Sequence, residues 1–474
     1  MKHKYLFLTI LFILISYIMF GLFIFNDNIW YDEAYQMVLN RYSFSNIVYY
    51  IKNDTNGPLY AILLKIVTSI FGDKLYVGRL LSFSIYNIQF IIAFYPMRKL
   101  FNLKTSIIYS IISILSSYSL FCSTEIRLYS LSMISVLGAV IYGLLYFKDN
   151  NKSKTKNLIF YTIFGIIGTY AHNYATLTIF FLQIMTTIMG IIKKDRKIII
   201  TNIIIFICYI PWLRILFKQE EDINGNFWIS KPSIDTFTSS MRNIFSNNNL
   251  ICFILVFIII YSLINIKKYK RFDINILLVI IPAFLTITLF VIYSMVNNPL
   301  FVSKYITPDC GLIYTSISAI LVNNNINKNK YLVYLYILLI IPNFIAIYKD
   351  NIQDSNDSGT KEMIEFINKN YKGRKIFLNT TESALGLSEY YFPGSKHYLS
   401  PDTYLIIRKE NIFGDVVRAN NYKYDKIIVI YTDKMRHQAD FNYFSVNNYH
   451  IENYFTSECT YNGGYMVYIL KKDF

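Results

Sequence analysis

The chain has 474 residues, of which 54% are apolar and 18% aromatic, with a formal net charge of +16 and a mean hydropathy of +0.35. That composition excludes a soluble globular chain and predicts a polytopic membrane protein. The positive charge does not point to nucleic acid: many of the cations sit in short clusters between apolar runs, where cytoplasmic loops carry them.

The first apolar run, Tyr5 to Phe25, follows Lys2 and Lys4. Its length is that of a membrane span, and no small-x-small cleavage site follows, so it reads as an uncleaved first helix and not as a signal peptide. Further runs lie at 79–97, 106–122, 128–147, 157–171, 174–192, 198–217, 250–266, 274–296, 305–322 and 331–348, giving about eleven spans of the length a bilayer demands. The run from Pro58 to Phe71 is short and carries Lys65, and we read it as a juxtamembrane helix that does not cross. With that choice the clusters Arg98/Lys99/Lys104, Lys148/Lys152/Lys154/Lys156, Lys193/Lys194/Arg196/Lys197, Lys267/Lys268/Lys270/Arg271 and Lys328/Lys330 share the cytoplasmic side with Lys2 and Lys4. Were it to cross, the later clusters would all face outward. The outer side then holds residues 26–78, the turns at 123–127 and 171–174, the loop 218–249, the segment 297–305 and the tail.

From about Asp350 the sequence becomes mixed and polar, with turn signals at 354–359, Pro393-Gly394 and Gly463-Gly464. Thr360 to Asn370 reads as helix, and Lys375 to Leu378, Lys426 to Tyr431 and Tyr465 to Leu470 as strands. The expected organisation is a transmembrane domain over 1–348 and a small extracytoplasmic α/β domain over 349–474. No nucleophile elbow, Walker loop or HExxH occurs in the latter. The five cysteines are scattered without CxxC spacing, which suggests neither zinc, a disulfide framework nor a redox role.

The polar residues that stand out all fall on the outer side. Asp32 and Glu33 open an expected helix. Two acids in a first turn favour the helix dipole by about 0.3–1 kcal/mol each; alternatively, one is a general base for an incoming hydroxyl or amine. Asp54, in Asn53-Asp-Thr-Asn-Gly-Pro58, either caps the next helix, with Pro58 near its first turn, or helps line the same cleft. Glu125-Ile-Arg127-Leu-Tyr129 is a tight turn in which Arg127 either pairs with Glu125 to pin two helix ends or binds a phosphate through its planar fork. His172 is a hydrogen-bonded structural residue at another turn or a member of the same site. Lys304 and Tyr305 open a span, as a snorkelling lysine beside an interfacial tyrosine or as part of the site. The loop Phe227 to Pro232 is a cover for the site or an interfacial segment.

Taken together, Trp30-Tyr-Asp-Glu-Ala34 after the first span, Gly57-Pro-Leu-Tyr60, Phe71-Gly-Asp73, Gly78-Arg-Leu-Leu-Ser82, Glu125-Ile-Arg-Leu-Tyr129, Tyr170-Ala-His-Asn-Tyr174, Ile210-Pro-Trp-Leu213, Phe227-Trp-Ile229 and Lys304-Tyr-Ile-Thr-Pro308 resemble the protein O-mannosyltransferase-like glycosyltransferases of the GT-C superfamily, relatives of the lipid A aminoarabinose transferase. The resemblance covers most of residues 1–345. It implies an all-α GT-C membrane fold with juxtamembrane helices in the first outer loop. It also implies transfer of a sugar from a polyprenyl-phosphate carrier to an extracytoplasmic protein, lipid or wall polymer, with inversion. Asp32 would be the base and Glu33 its helper; Asp54, Glu125, Arg127, Tyr129, His172, Lys304 and Tyr305 would bind substrate. The chain departs from the family pattern at Asn56, where relatives often carry histidine, and at Lys304, where they often carry arginine, whose bidentate phosphate contact a lysine cannot reproduce.

The expected partners are a polyprenyl-phosphate-linked sugar and membrane lipids, in a bacterial cytoplasmic membrane, with no nucleic acid. A divalent cation could join the acidic pair and a phosphate, but no dedicated ligand cage is visible and none is expected to be obligatory. The alternative class is a transporter or flippase of lipid-linked sugars, which would be expected to show repeated halves and helices broken at mid-membrane; no repeat is found.

Overall fold

The computed structural model describes residues 2–54, 56–149, 151–223, 229, 231–246, 248–268, 273–323, 330–379, 382–399, 415–418, 424–431, 449–457 and 464–473. Phe227, Trp228, Lys270, Arg271 and Lys328 lie outside them. The chain forms two compact units: Met1–Ile24, Asn56–Tyr60 and Arg79–Tyr348 in the first, and Phe25–Thr55, Ala61–Gly78 and Lys349–Phe474 in the second.

In chain order the helices are α1 (Lys2–Ile24), α2 (Tyr31–Asn40), α3 (Phe44–Lys52), α4 (Leu59–Phe71), α5 (Leu75–Ile92), α6 (Arg98–Leu100), α7 (Leu103–Leu115), α8 (Ser117–Thr124), α9 (Tyr129–Lys148) and α10 (Asn151–Ala171). They continue with α11 (Asn173–Ile192), α12 (Arg196–Ile223), α13 (Ile234–Phe245), α14 (Asn249–Lys268), α15 (Ile274–Val296), α16 (Thr307–Asn323), α17 (Lys330–Ser355), α18 (Gly359–Asn370) and α19 (Glu382–Tyr391). Among the described residues, 8 helices are long and apolar enough to cross a membrane, or up to 9 if Ile234–Phe245 and Asn249–Asn265, bent by 72°, form one span. Two of the eleven expected runs differ in detail. The run 106–122 is broken at Ser116, whose backbone is extended, into α7 and α8. The run 157–171 belongs to α10, whose first turns are Asn151-Lys-Ser-Lys-Thr-Lys156. Helix α4 has 13 residues, about 20 Å of rise, short of the ~30 Å hydrocarbon core, as a non-crossing helix requires.

In the first unit α9 is the central helix. It is buried almost all round, which matches its lack of a polar face. Gly138 lets α10 approach: a Cβ there would lie 2.5 Å from the Phe164 ring. Polar side chains lock neighbouring helices, with Tyr161 Oη donating to Asn202 Oδ1 (2.6 Å) and Asn202 Nδ2 to the Gln183 carbonyl (3.1 Å). Between α5 and α6 the helix widens into a π turn, Ala93–Met97, around Pro96, and Ser106 Oγ donates to the Ala93 carbonyl (2.6 Å).

At one end of this unit Lys148 Nζ donates to the carbonyls of Lys99 (3.0 Å) and Leu100 (2.6 Å), Lys193 Nζ to that of Phe147 (3.4 Å), and Lys154 pairs with Asp195 (2.7 Å). Three of the basic clusters seen in the sequence therefore meet at the same helix ends. The turns carrying Arg127 and His172 lie at the other ends of α9 and α10.

In the second unit, six strands, β1 (Ile376–Asn379), β2 (Lys396–Leu399), β3 (Asp415–Arg418), β4 (Lys426–Tyr431), β5 (Tyr449–Thr456) and β6 (Met466–Lys472), form a sheet of order β3-β2-β1-β4-β6-β5. The first four in that order are parallel, while β6 and β5 are added antiparallel. Its core includes Leu378, Ile427, Val429 and Leu470. Helix α2 joins this unit through Arg41, whose guanidinium donates to the last carbonyls of α19, Glu389 (3.1 Å) and Tyr390 (3.1 Å). A cation is the favourable partner for a helix C-terminus. Asn40 ties the other side to α4, donating to Thr68 Oγ1 (2.9 Å) and, beyond α4, to Asp73 Oδ1 (2.9 Å).

Candidate active site

The acidic residues belong to the second unit. Asp32 and Glu33 are the second and third residues of α2. The Glu33 carboxylate turns back on its own helix end, where Oε2 accepts the Trp30 backbone N–H (3.1 Å), and the residue is buried. This is the acidic half of a capping box, and it fixes the angle at which the chain enters α2. Asp32, one position earlier, is half-buried. Asp54 is buried just past the C-terminal end of α3 and accepts from Tyr35 Oη (3.0 Å). A carboxylate beside a helix C-terminus is disfavoured by the helix dipole, so the Tyr35 donor helps hold it there. Asp54 thus links α3 to α2, five residues ahead of α4, and is not its N-cap.

The remaining candidates belong to the first unit. Glu125 and Arg127 form the turn between α8 and α9, closed by the Arg127 N–H on the Glu125 carbonyl (2.7 Å), and both side chains are buried. Tyr129 opens α9 and is buried. His172 is the N-cap of α11: its Nδ1 accepts the Tyr174 N–H (3.0 Å). An imidazole that accepts at Nδ1 carries its proton on Nε2. His172 is 4% exposed, and its Nε2 has no hydrogen-bond partner among the described residues. Its pKa is lowered to about 3, by burial first and then by Arg127 and Lys304. Three tyrosine rings surround it, with centroids at 5.4 Å (Tyr305), 5.7 Å (Tyr174) and 6.3 Å (Tyr129). Lys304 Nζ lies 6.0 Å over the Tyr305 ring.

Lys304 and Tyr305 sit in a short 3₁₀ turn, Ser303–Ile306, just before α16. Tyr118 donates to the Ser303 carbonyl, and Tyr174 Oη donates to the Leu300 carbonyl (2.8 Å), so α8 and α11 hold this segment in place. Residues 56–60 pack on the His172 turn: Gly57 approaches the Tyr170 carbonyl so closely that a Cβ would lie 2.2 Å from its oxygen. Arg127, Tyr129, His172, Lys304 and Tyr305, scattered over the sequence, therefore form one cluster, carrying two cations and a neutral imidazole.

One residue of this region was missed in the sequence. Asp309, in the first turn of α16, is fully buried; Oδ1 accepts from Thr178 Oγ1 (2.9 Å), while Oδ2 has no hydrogen-bond partner among the described residues. Its sequence signal was an acid inside an apolar run, which is costly and by default functional. Among the described residues no three His, Cys, Asp or Glu side chains gather as metal ligands.

The described residues form a helical unit with several helices long and apolar enough to cross a membrane, and a small C-terminal sheet. The fold is similar to that of ArnT from Cupriavidus metallidurans bound to undecaprenyl phosphate, with TM-score 0.61 and 10% identity over 97% of each chain. The apo state of the same protein gives 0.57 and 9% identity, over 88% of this chain and 87% of that one. The apo oligosaccharyltransferase of Archaeoglobus fulgidus gives 0.49 and 10% identity, over 84% and 64%. No protein-family model and no curated protein matches the sequence.

Proposed function

We propose that the chain is an integral-membrane glycosyltransferase that moves a sugar, hexosyl or pentosyl, from a polyprenyl-phosphate carrier to an extracytoplasmic protein, lipid or wall polymer. The observation that carries this is the cluster in which buried Arg127 and half-buried Lys304 both act on buried His172, in a chain whose fold is similar to that of a protein solved with undecaprenyl phosphate. Two cations at the ends of membrane helices attract anionic groups, and a phosphate that is both headgroup and leaving group is one that a guanidinium and an ammonium can hold.

In this reading Asp32 takes the proton of the acceptor hydroxyl or amine as that atom attacks the anomeric carbon. The bond from that carbon to the phosphate oxygen breaks, its electron pair leaves with the polyprenyl phosphate, and the anomeric centre inverts. Arg127 and Lys304 stabilise the charge that develops on the phosphate. Glu33 fixes the start of α2 and with it the position of Asp32; Asp54 orders α2 against α3. Glu125 shapes the Arg127 turn, and Tyr129 and Tyr305 supply ring faces. The N-terminus and the basic helix ends lie in the cytoplasm of a bacterial cell, and the site and the C-terminal α/β fold lie outside.

The test is the pool of lipid-linked sugars, measured by mass spectrometry in cells producing the wild type or Arg127→Ala at equal levels. The wild type is expected to deplete one polyprenyl-phosphate sugar that the variant lets accumulate. Equal pools, with sugar crossing the membrane on its carrier, would contradict transfer and favour the transporter alternative.

A further inference from the structure

We infer that His172 serves the lipid phosphate as an uncharged hydrogen-bond donor through Nε2–H, while its Nδ1 caps α11; the cations of the cluster, and not the histidine, carry the positive charge. This deepens the lipid-phosphate reading above and rests on it.

Three features of the site lead to this. First, Nδ1 is occupied as an acceptor by the Tyr174 N–H at 3.0 Å. A second ring proton would have to sit where that N–H points, so the cap and the imidazolium form exclude each other. Second, every charged group acting on the ring, Arg127 from the α8–α9 turn and Lys304 from the turn before α16, is a cation, and the other titratable neighbours are the hydroxyls of Tyr129, Tyr174 and Tyr305. Neither charged group acting on the ring among the described residues favours a charged ring. Third, Nε2 is fully buried without a partner among the described residues. Leaving a buried N–H unsatisfied costs about 1–3 kcal/mol, which a ligand oxygen recovers.

A phosphate oxygen suits this donor because the same cluster presents two cations, so the ligand is anionic and its oxygens accept. No proton moves. The hydrogen bond strengthens as the sugar leaves and negative charge grows on the phosphate, which is when a fixed donor contributes most to rate. Histidine meets both needs where asparagine meets only one. Asparagine is an excellent N-cap, but its amide is too short to reach the position of Nε2.

That difference supplies the test. Binding of undecaprenyl phosphate to the full-length protein in detergent would be measured for the wild type, His172→Asn and His172→Gln, together with thermal unfolding. At pH 7.5 His172→Asn should unfold like the wild type yet bind the lipid on the order of tenfold or more weakly, the size of a lost hydrogen bond to a charged group. His172→Gln, whose amide reaches farther but caps poorly, should be less stable and recover part of the binding. Between pH 5 and 8 the ratio of wild-type to His172→Asn affinity should stay constant, because the wild-type ring does not titrate there. An inorganic phosphate arm separates sources: competition at both proteins with the same ratio assigns the donor to phosphate as such, and its absence assigns it to the lipid-borne headgroup. Equal lipid binding by wild type and His172→Asn, or a ratio that rises as the pH falls through 6, would overturn the inference and leave His172 as a cap or a cation. A wild type that binds no undecaprenyl phosphate would instead remove the reading on which it rests.

Discussion

A Cβ on Gly57 would lie 2.2 Å from the carbonyl oxygen of Tyr170, so only glycine fits there. The neighbouring Asn56 carbonyl accepts from Gln219 Nε2 (3.5 Å) and Tyr60 Oη pairs with Ser82 Oγ (2.6 Å). The short segment 56–60 is thereby pinned to the turn that presents His172. Because the obstacle is backbone and cannot swing aside, Gly57→Ala should destabilise the protein by about 2 kcal/mol, within the usual range for overpacking. Thermal unfolding in detergent checks this, and an unchanged midpoint would show that the contact is looser than described.

Glu33 and Asp32 are adjacent but should respond differently. Glutamine also completes a capping box, so Glu33→Gln should keep the wild-type unfolding temperature. Glu33→Ala should lose about 1 kcal/mol, the usual cost of a lost cap. If Glu33→Gln is as unstable as Glu33→Ala, the contact from Glu33 to the Trp30 N–H does not hold the helix end.

Arg127 should not tolerate lysine. The charge survives in Arg127→Lys, but the planar fork that matches a phosphate does not. Undecaprenyl phosphate affinity is expected to fall on the order of tenfold for Arg127→Lys and further for Arg127→Ala, by about 1.4 kcal/mol per tenfold. Equal affinity for arginine and lysine would reduce Arg127 to a point charge.

Acid should destabilise the protein through His172. Its pKa is about 3 when folded, against 6.5 ordinarily, so the folded state refuses a proton that the unfolded state takes up. The stability that the neutral ring contributes is complete above pH 6.5 and falls by about 1.4 kcal/mol per pH unit below it, until the folded ring itself titrates. Unfolding midpoints measured between pH 7 and 4.5 should decline more steeply for the wild type than for His172→Asn, which lacks the group. Parallel declines would mean that His172 titrates normally.

The fold was legible where composition repeats itself and obscure where contacts are long-range. Apolar runs marked the long apolar helices, of which 8 or up to 9 among the described residues, and not eleven, are long enough to cross, and the placement of cations marked helix ends that share a side; Lys148 meeting Lys99 and Leu100 agrees with that reading. The break at Ser116 was hidden inside an unbroken apolar stretch. In the sheet, β4 and β6 stood out as runs of Ile, Val and Tyr. β2 (Lys396-His-Tyr-Leu399) and β3 (Asp415-Val-Val-Arg418) are too short and polar to signal a strand, and β5 is an edge strand with an irregular register at Ile451/Asn453. The first-unit cluster was found residue by residue because each member is a polar side chain at a span boundary. Its internal logic was not, since neither the His172 cap nor the approach of Gly57 to Tyr170 leaves a mark in sequence spacing. Asp309 was passed over because it lies inside a run that reads as a plain span.

The role of Asp32 is tested most directly by turnover. The polyprenyl-phosphate sugar that accumulates with an inactive variant would be supplied to purified protein in vesicles, and release of free polyprenyl phosphate followed for the wild type and Asp32→Asn. A positioned general base contributes about 10²–10⁴ in rate, so Asp32→Asn should release the carrier more slowly by that factor while binding it with unchanged affinity. Near-normal release by a folded, lipid-binding Asp32→Asn protein would contradict the assignment of Asp32 as the base.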